Sequence, residues 1–575
     1  MIPVADPGAA GSVRLGSTQH LRQQLHALKS ERASWDAHWR EIAELMSPRL
    51  SRFNVTDAND GKKKHGKVND NSAIFAARTL AAGMMSGITS PARPWFALTI
   101  KDRDLAESGD VKRWLHEVTK KLRMVMAASN TYNSLHAAYR ELGLFGTWAD
   151  IVVPNYENVI HHYPLTIGQY SLATDEFGKV NTLARELRMS VEQCVRMFGL
   201  DNVSQAVRSL YNAGQYTPWV VVYHLIVPRR ERDTRKADAK NMPFRSVWIE
   251  AARDDGDDKP LRDSGFKRFR ALCPRWDVVG EDVYGCSPAM DALGDTKYLQ
   301  FQQVRKAQAI DYQVAPPLQV PTQYKDQAAN RMPGGVMYVD QVGAGGGVRS
   351  AFEVNLRLNE LLLDIQDVRS RINKAFYADL FLMLASQPAN SRMTATEVAE
   401  RHEEKLLMLG PVLERLHNEM LSPLIDIAFD QLAEAGALPP IPPEMRDVVD
   451  LEVEFVSILA QAQRMVATSG TERLLTSTMA LANAHPDVLD KIDFDQVVDD
   501  FAEAYGVNPA IVVPDDEVQR RRAQRAAQMA QAQAAANAPQ TVESAKTASE
   551  IDVANLRDVM GSLQGYNTPS PAFVE

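Results

Sequence analysis

Few residues of this chain stand in patterns that could do chemistry, and each pattern fails on spacing. "RHEEKL" at Arg401 to Leu406 resembles the start of a zinc-hydrolase helix, but Leu406 stands where the second histidine ligand must be. It reads as a charged helical face. His161 and His162 sit at the start of a strand-like run with no third ligand at useful spacing, so they read as a satisfied pair. Cys194, Cys273 and Cys286 lie far apart without a C-x-x-C, which supports neither a disulfide framework nor a zinc site and fits a reducing cytoplasm. The glycines from Gly343 to Gly347 lack a following Lys-Ser/Thr, so no phosphate loop is indicated, and G-x-S-x-G is absent. Carboxylates are too numerous for any catalytic pair to be singled out. The expectation is a protein with no catalytic residues, no metal and no cofactor.

The 575 residues are 45% apolar and 24% charged, which is globular composition with room for several domains. Lys and Arg total 64 against 73 Asp and Glu, a net −9 that argues against a protein whose main task is to grip nucleic acid, while leaving local basic patches open. The run "NDGKKKHGK" at Asn59 to Lys67 reads as a solvated basic turn. No stretch of about eighteen apolar residues occurs, and the first sixteen residues lack an apolar segment, so neither membrane spanning nor export is expected.

These elements must carry whatever function there is. Residues 1–16 read as loose. Leu21, Leu25, Leu28, Arg32, Trp35, Trp39, Ile42 and Met46 recur by fours and threes, a helix with one charged intruder. A helix rich in Ala and Gly and the strand "PWFALTI" follow. From about Ile151 to Glu250 short β-rich runs dominate, with "DEFGK" as a hairpin turn and "KADAKNMP" and "ARDDGDDKPLRDSG" as exposed turns. Ser287 as N-cap and Pro288 at the first helical position open a helix that Pro316-Pro317 must end, a rod of about 40 Å. A Pro/Gly-punctuated segment of strand-like pieces comes next. Then Leu358, Leu361, Ile365, Val368, Ile372 and Phe376 mark one face of a second rod, so two rods flank a small knob. A loop, Asp379 to Met393, leads to a capping box at Thr394 and Glu397. Behind it Val398, His402, Leu406, Leu409, Leu413, Leu416, Met420 and Leu424 form one stripe, with a bend expected at Gly410-Pro411 and a second proline at Pro423. Beyond a Pro-rich joint, "LEVEFVSILAQAQRM" passes from strand to helix. Asp515 to Ala538 is Ala/Gln-rich with Arg520, Arg521, Arg522 and Arg525, a helix either solvated or held by copies of itself.

Six phrases, "NDNSAIFAARTLAAGMMSGITSPARPWFALTI", "LGLFGTWADIVV", "YPLTIGQYSLATDEFGKVNTLARELRMS", "PRWDVVGEDVYGCSPAMDAL", "TATEVAERHEEKLLMLGPVLERLHNEMLSPLI" and "VEFVSILAQAQRM", together resemble the portal, or head-to-tail connector, proteins of short-tailed bacteriophages over about residues 20–535. The resemblance implies a mainly helical α+β portal fold, assembled as a ring of usually twelve copies at one capsid vertex. A terminase drives double-stranded DNA through that ring. It divides the chain into a flexible N-terminus (1–16), wing (17–286), first stem helix (287–315), clip (316–354), second stem helix (355–378), tunnel loop (379–393), long kinked wing helix and joint (394–450), crown with a candidate barrel helix (451–538) and a flexible tail (539–575). Gln387, Asn390, Ser391 and Arg392 of the tunnel loop, with Lys297, Arg305 and Lys306 of the stem, become the candidates facing DNA. Lys325 and Arg331 of the clip become those facing terminase or tail adaptor. Loop solvation and ion pairs between subunits would account for the same residues. Further implied partners are the major capsid and scaffolding proteins, with assembly in the host cytoplasm and final residence in the virion. Twelve copies at −9 would sum to about −108, so the body should let DNA slide. A non-channel helical scaffold or tail-structure protein, and a metal-dependent nuclease, are the competing readings.

Overall fold

The computed structural model describes residues 16–50, 52–54, 64, 66–102, 105, 108–236, 238–253, 259–322, 334–339, 349–350, 358–385, 409–445, 451–455, 458–482, 486–504, 512–513 and 517–532. Helix α1 (Thr18–Met46) opens with the Ser17 hydroxyl accepting the His20 amide at 3.1 Å. Its stripe serves two cores. Leu21, Leu25 and Leu28 pack on one face of a sheet, while Trp39, Ile42 and Met46 enter the main core. Arg32, the charged intruder, falls between them, only 3% exposed, paired with Asp36 at 3.0 Å and donating to the Tyr170 carbonyl and to Ser171 Oγ. Helix α2 (Ser72–Ile88) uses small residues for close approach: a Cβ on Gly83 would stand 2.1 Å from the Phe381 ring. Strand β1 (Phe96–Ile100) and helices α3 (Gly109–Ala128) and α4 (Thr131–Phe145) follow.

Two sheets fill the β-rich half. β2 (Ala149–Asn155), β3 (Val159–Leu165) and the short β9 (Ala271–Leu272) make one, in order β3-β2-β9. β4 (Tyr170–Thr174), β5 (Val180–Ser190), β6 (Trp219–Pro228), β7 (Phe244–Glu250) and β8 (Arg262–Phe266) form a five-stranded antiparallel meander, with α5 (Val191–Phe198) and α6 (Gln205–Asn212) between β5 and β6. The "DEFGK" turn joins β4 to β5 as expected, with Gly178 at φ 75°. β3 is an edge strand, and Asn130 closes that edge: its side chain donates to the His162 carbonyl and accepts the His162 amide, both at 2.9 Å.

Gly146 ends α4 at φ 72°, where a Cβ would come within 2.1 Å of the Gly285 carbonyl oxygen. That contact fixes where the next rod starts. Ser287 caps α7 (Pro288–Asp291), accepting the Met290 amide at 3.2 Å and donating to the Leu144 carbonyl at 2.9 Å. The first rod is therefore two pieces, α7 and α8 (Leu293–Val314), broken at Ala292. Strands β10 (Leu318–Pro321), β11 (Val336–Val339) and β12 (Arg349–Ser350) form a small sheet, β10 parallel to β11 and antiparallel to β12. The second rod is α9, described from Leu358 and ending at Ala375, three residues before the expected 378. Tyr377 takes a left-handed φ of 53° and a new helix α10 (Ala378–Ala385) begins, so the expected loop from Asp379 opens as helix. Leu380 and Phe381 are buried there, Phe381 against α2.

The striped helix is described from Leu409. Pro411 stands in the first turn of α11 (Gly410–Leu416), and the residues ahead of Leu409, on which the expected bend at Gly410-Pro411 also depends, lie outside the described ones. The second proline distorts the helix: residues His417–Leu421 form a π turn in which the Ser422 amide reaches back to the His417 carbonyl, just before Pro423, which has no amide to give, in α12 (Ser422–Glu434). Leu409, Leu413, Leu416, Met420 and Leu424 are all buried, as the stripe requires. The π turn presents Glu419 to Arg275, which donates to it at 2.7 Å and also holds the Gly178 carbonyl at 2.8 Å. His417 of the same turn stacks on Phe455 at 4.0 Å, and burial pushes its imidazole down to about 4.

Phe455 belongs to β13 (Leu451–Phe455), which pairs antiparallel with β1. The segment assigned to the crown thus begins inside the body. Helices α13 (Ile458–Ala482) and α14 (Phe494–Ala504) follow. Helix 517–532 is exposed along nearly all its length and is tied to α14 by Arg522, which grips Asp495 at 2.6 and 2.7 Å.

Two outcomes follow from these buried charges. Arg275→Met leaves the largely enclosed Glu419 with only the more distant Arg415 at 3.4 Å, and should destabilise by up to about 3 kcal/mol, with part of the loss recovered in R275M/E419L, read from denaturant midpoints. Glu141 of α4 is fully enclosed, accepting from Thr166 Oγ1 and the Ile167 amide, and burial pushes its carboxyl up to about 8 against those hydrogen bonds and Arg140. The native state then keeps a proton that the unfolded chain loses near 4.5, so this contribution is full below that pH and is lost as pH rises toward about 8. The stability difference between E141Q and the parent should therefore grow in favour of the variant from pH 5 to pH 8, and a pH-independent difference would contradict it.

Candidate assembly and DNA-channel surface

α8 and α9 run antiparallel, since Asp295 meets Arg371 at 3.2 Å while Tyr298 and Gln302, further along α8, both meet Asp364. The seam is largely polar. At its inner end Asp70, before α2, collects the Ser72 amide at 2.8 Å, Gln303 Nε2 at 2.9 Å and Arg369 Nη2 at 2.7 Å. Gln300 spans the same corner, accepting the Asn69 and Asp70 amides and donating to the Asp70 carbonyl. Burial alone would raise the Asp70 carboxyl, but the Ser72 and Arg369 hydrogen bonds outweigh it and hold it below the usual carboxylate range. Apolar contacts from Leu299, Ile365, Val368 and Ile372 complete the inner half.

The outer half differs. Beyond Gln302 no residue of α8 is buried, a projection of about 18 Å to Val314. Its surface nevertheless carries Val304, Ile310 and Val314 (79% exposed), with Phe301 (55%) at its root, and α9 adds Leu362 and Leu363 (66%). Exposed aliphatic surface of this kind marks a candidate interaction site.

Of the stem candidates, Lys297 is engaged with Glu41 of α1 at 2.5 Å. Arg305 is exposed, its guanidinium lying over the Phe301 ring at 4.9 Å, and Lys306 beside it is half-buried. Arg305 and Lys306 thus sit together on the projecting part while Lys297 braces the body. Gln387, Asn390, Ser391 and Arg392, the capping box at Thr394, and Lys325 and Arg331 lie outside the described residues. The outer aliphatic positions were not singled out in the sequence, because around α8 they alternate with Gln, Lys and Arg and form no single stripe.

One arrangement has the form of a catalytic triad. Thr131 Oγ1 meets His162 Nε2 at 2.9 Å, His162 Nδ1 meets Asp150, and Ser134 donates to Asp150 at 3.2 Å. All four are at most 2% exposed, so the cluster pins β2, β3 and α4 together in the core and no substrate reaches it. Among the described residues no group of three or more His, Cys, Asp and Glu is disposed to hold a metal ion, and no helix is long and apolar enough to cross a membrane.

A probable portal protein of Bordetella phage BPP-1 is 52% identical over 542 residues, 94% of this chain and 97% of its own length. The portal protein of Salmonella phage epsilon15 is 44% identical over 539 residues, 93% and 96% of the two chains. A chain from the virion of a native gene transfer agent particle overlaps 77% of this one and 94% of itself at 10% identity, with a TM-score of 0.34, too loose a likeness to bear on the fold. The family described as bacteriophage head to tail connecting protein matches residues 18–512, and the chain belongs to it.

Proposed function

We propose that the chain is a portal: a ring, in our reading of twelve copies, at one capsid vertex, through which double-stranded DNA enters and leaves the head. α7–α8 and α9 act as the stem, the β10–β12 sheet as the clip, and the segment around 386–393 as the loop reaching into the channel. The observation that carries the reading is near-full-length identity to two phage portal proteins, 52% and 44%. The aliphatic surface of the projecting rods supports it, because it is placed where neighbouring stems would lie side by side. Large terminase and tail adaptor dock on the clip, and capsid and scaffolding proteins on the wing, in a particle assembled in the host cytoplasm. No step of this role calls for chemistry by the chain, since a separate motor does the work.

Electron micrographs of the purified protein, with capsid proteins added where needed, should show rings with an axial hole, and the subunit count reads the symmetry. Monomers under every assembly condition would overturn the proposal. Replacing Val304 and Leu363 together by glutamate should cut the ring fraction at least tenfold while leaving the far-ultraviolet spectrum of the subunit unchanged. Rings at the parental yield would show that the outer rods do not meet.

A further inference from the structure

The connection from β6 to β7 concentrates positive charge on an acidic chain. Between Arg229 and Lys240 lie six basic and three acidic residues, a net +3 within a protein of −9. The base of this hairpin is already neutralised, because Asp263 of β8 takes Arg245 at 2.8 Å and Arg229 at 3.6 Å. Its shape is also fixed. The Arg229 amide donates to the Pro243 carbonyl at 2.7 Å, Asn241 accepts the Asp233 amide at 2.9 Å and donates to Asp238, and Lys236 reaches Asp233 at 3.4 Å. Gly265 lies so close beneath that a Cβ there would come within 2.2 Å of the Ala239 carbonyl oxygen.

On this platform Arg230, Arg232, Arg235 and Lys240 are exposed, and among the described residues their side chains have no hydrogen-bond or ion-pair partner. Two of the three carboxylates at hand are spent inside the loop, Asp233 and Asp238 holding its backbone and Asn241, and the third, Glu231, is exposed and offsets one charge of the four. Four outward cations on a braced hairpin therefore wait for an anion from elsewhere. Three of the four are arginines, whose planar forks match phosphate oxygens. Duplex DNA presents one negative charge per about 1.7 Å of axis, denser than an acidic peptide, so counterion release favours it. We propose that the 229–243 hairpin contacts the backbone of duplex DNA on the outside of the protein, without sequence preference and apart from any channel.

A covalently closed relaxed plasmid tests this, because it cannot be threaded through a ring. Full-length protein should bind it at 50 mM salt and release it steeply toward 200 mM. R230A/R232A/R235A/K240A should bind at least tenfold more weakly, with the slope of log affinity against log salt shallower by roughly 3–4. R230K/R232K/R235K should keep both the binding and the slope, and the single exposed change Arg232→Glu should weaken binding in the same direction. Equal binding by the quadruple variant and the parent would overturn the proposal. So would a variant that loses binding to poly-glutamate but not to the plasmid, which would assign the hairpin to an acidic protein segment. Intact rings with no plasmid binding would sink the hairpin contact alone; plasmid binding by protein that never forms rings would sink the channel reading alone.

Discussion

Two rods that must project from the body and still keep one direction need a rigid root, and Asp70 is that root. It touches both rods and the start of α2 at once, through Gln303, Arg369 and the Ser72 amide. A buried carboxylate is tolerable only with its lone pairs filled, and here each is met by a donor from a different element. The same condition makes the corner specific. A rod shifted by one helical turn would take from the buried Asp70 a side-chain donor that offsets its desolvation.

Along the seam between α8 and α9 polar pairs accompany the buried Leu299, Ile365, Val368 and Ile372 of the inner half, whereas in the projecting half the order is inverted, with aliphatic residues on the outside. That inversion is intelligible if the pair is one stave among several. Hydrogen-bonded contacts such as Gln302 and Tyr298 on Asp364 set the register within a stave, because they tolerate little sliding. Aliphatic surface between staves is less particular about geometry, which suits contacts repeated around an axis. Arg305 stacked on Phe301 covers part of that surface with a charge still directed outward.

Local pattern made most elements legible. Alternation and Gly178 marked the β4–β5 hairpin, and the fours and threes of α1 held even at Arg32, whose burial depends on the Tyr170 carbonyl far along the chain. Pairings between distant segments were not legible. Nothing in "LEVEF" says that it joins β1, and nothing near Lys297 points to Glu41. The helix Ala378–Ala385 was missed because "DLFLMLA" is apolar on every side, without the periodicity that separates helix from loop, and because the break before it is a left-handed tyrosine and not a glycine or proline. The stem cations were readable as residues, but which of them is occupied within the subunit was not.

The π turn shows how a local defect can serve a distant element. Pro423 cannot donate to the carbonyl four residues back, and the helix absorbs the misfit by widening over His417–Leu421. The widened turn presents two side chains on which different segments depend. Glu419 fastens Arg275, just ahead of the Ser287 cap that starts the first rod, and His417 lies flat on Phe455 of the strand leading to α13. His417 is uncharged at neutral pH because burial lowers its basicity, so the stack survives without a counter-ion. A regular helix through this stretch would rotate the residues on either side by a fraction of a turn relative to each other, and could not keep Glu419 on Arg275, His417 on Phe455 and Leu424 in the core together. The proline therefore belongs to the positioning of the rods, although it lies in neither of them.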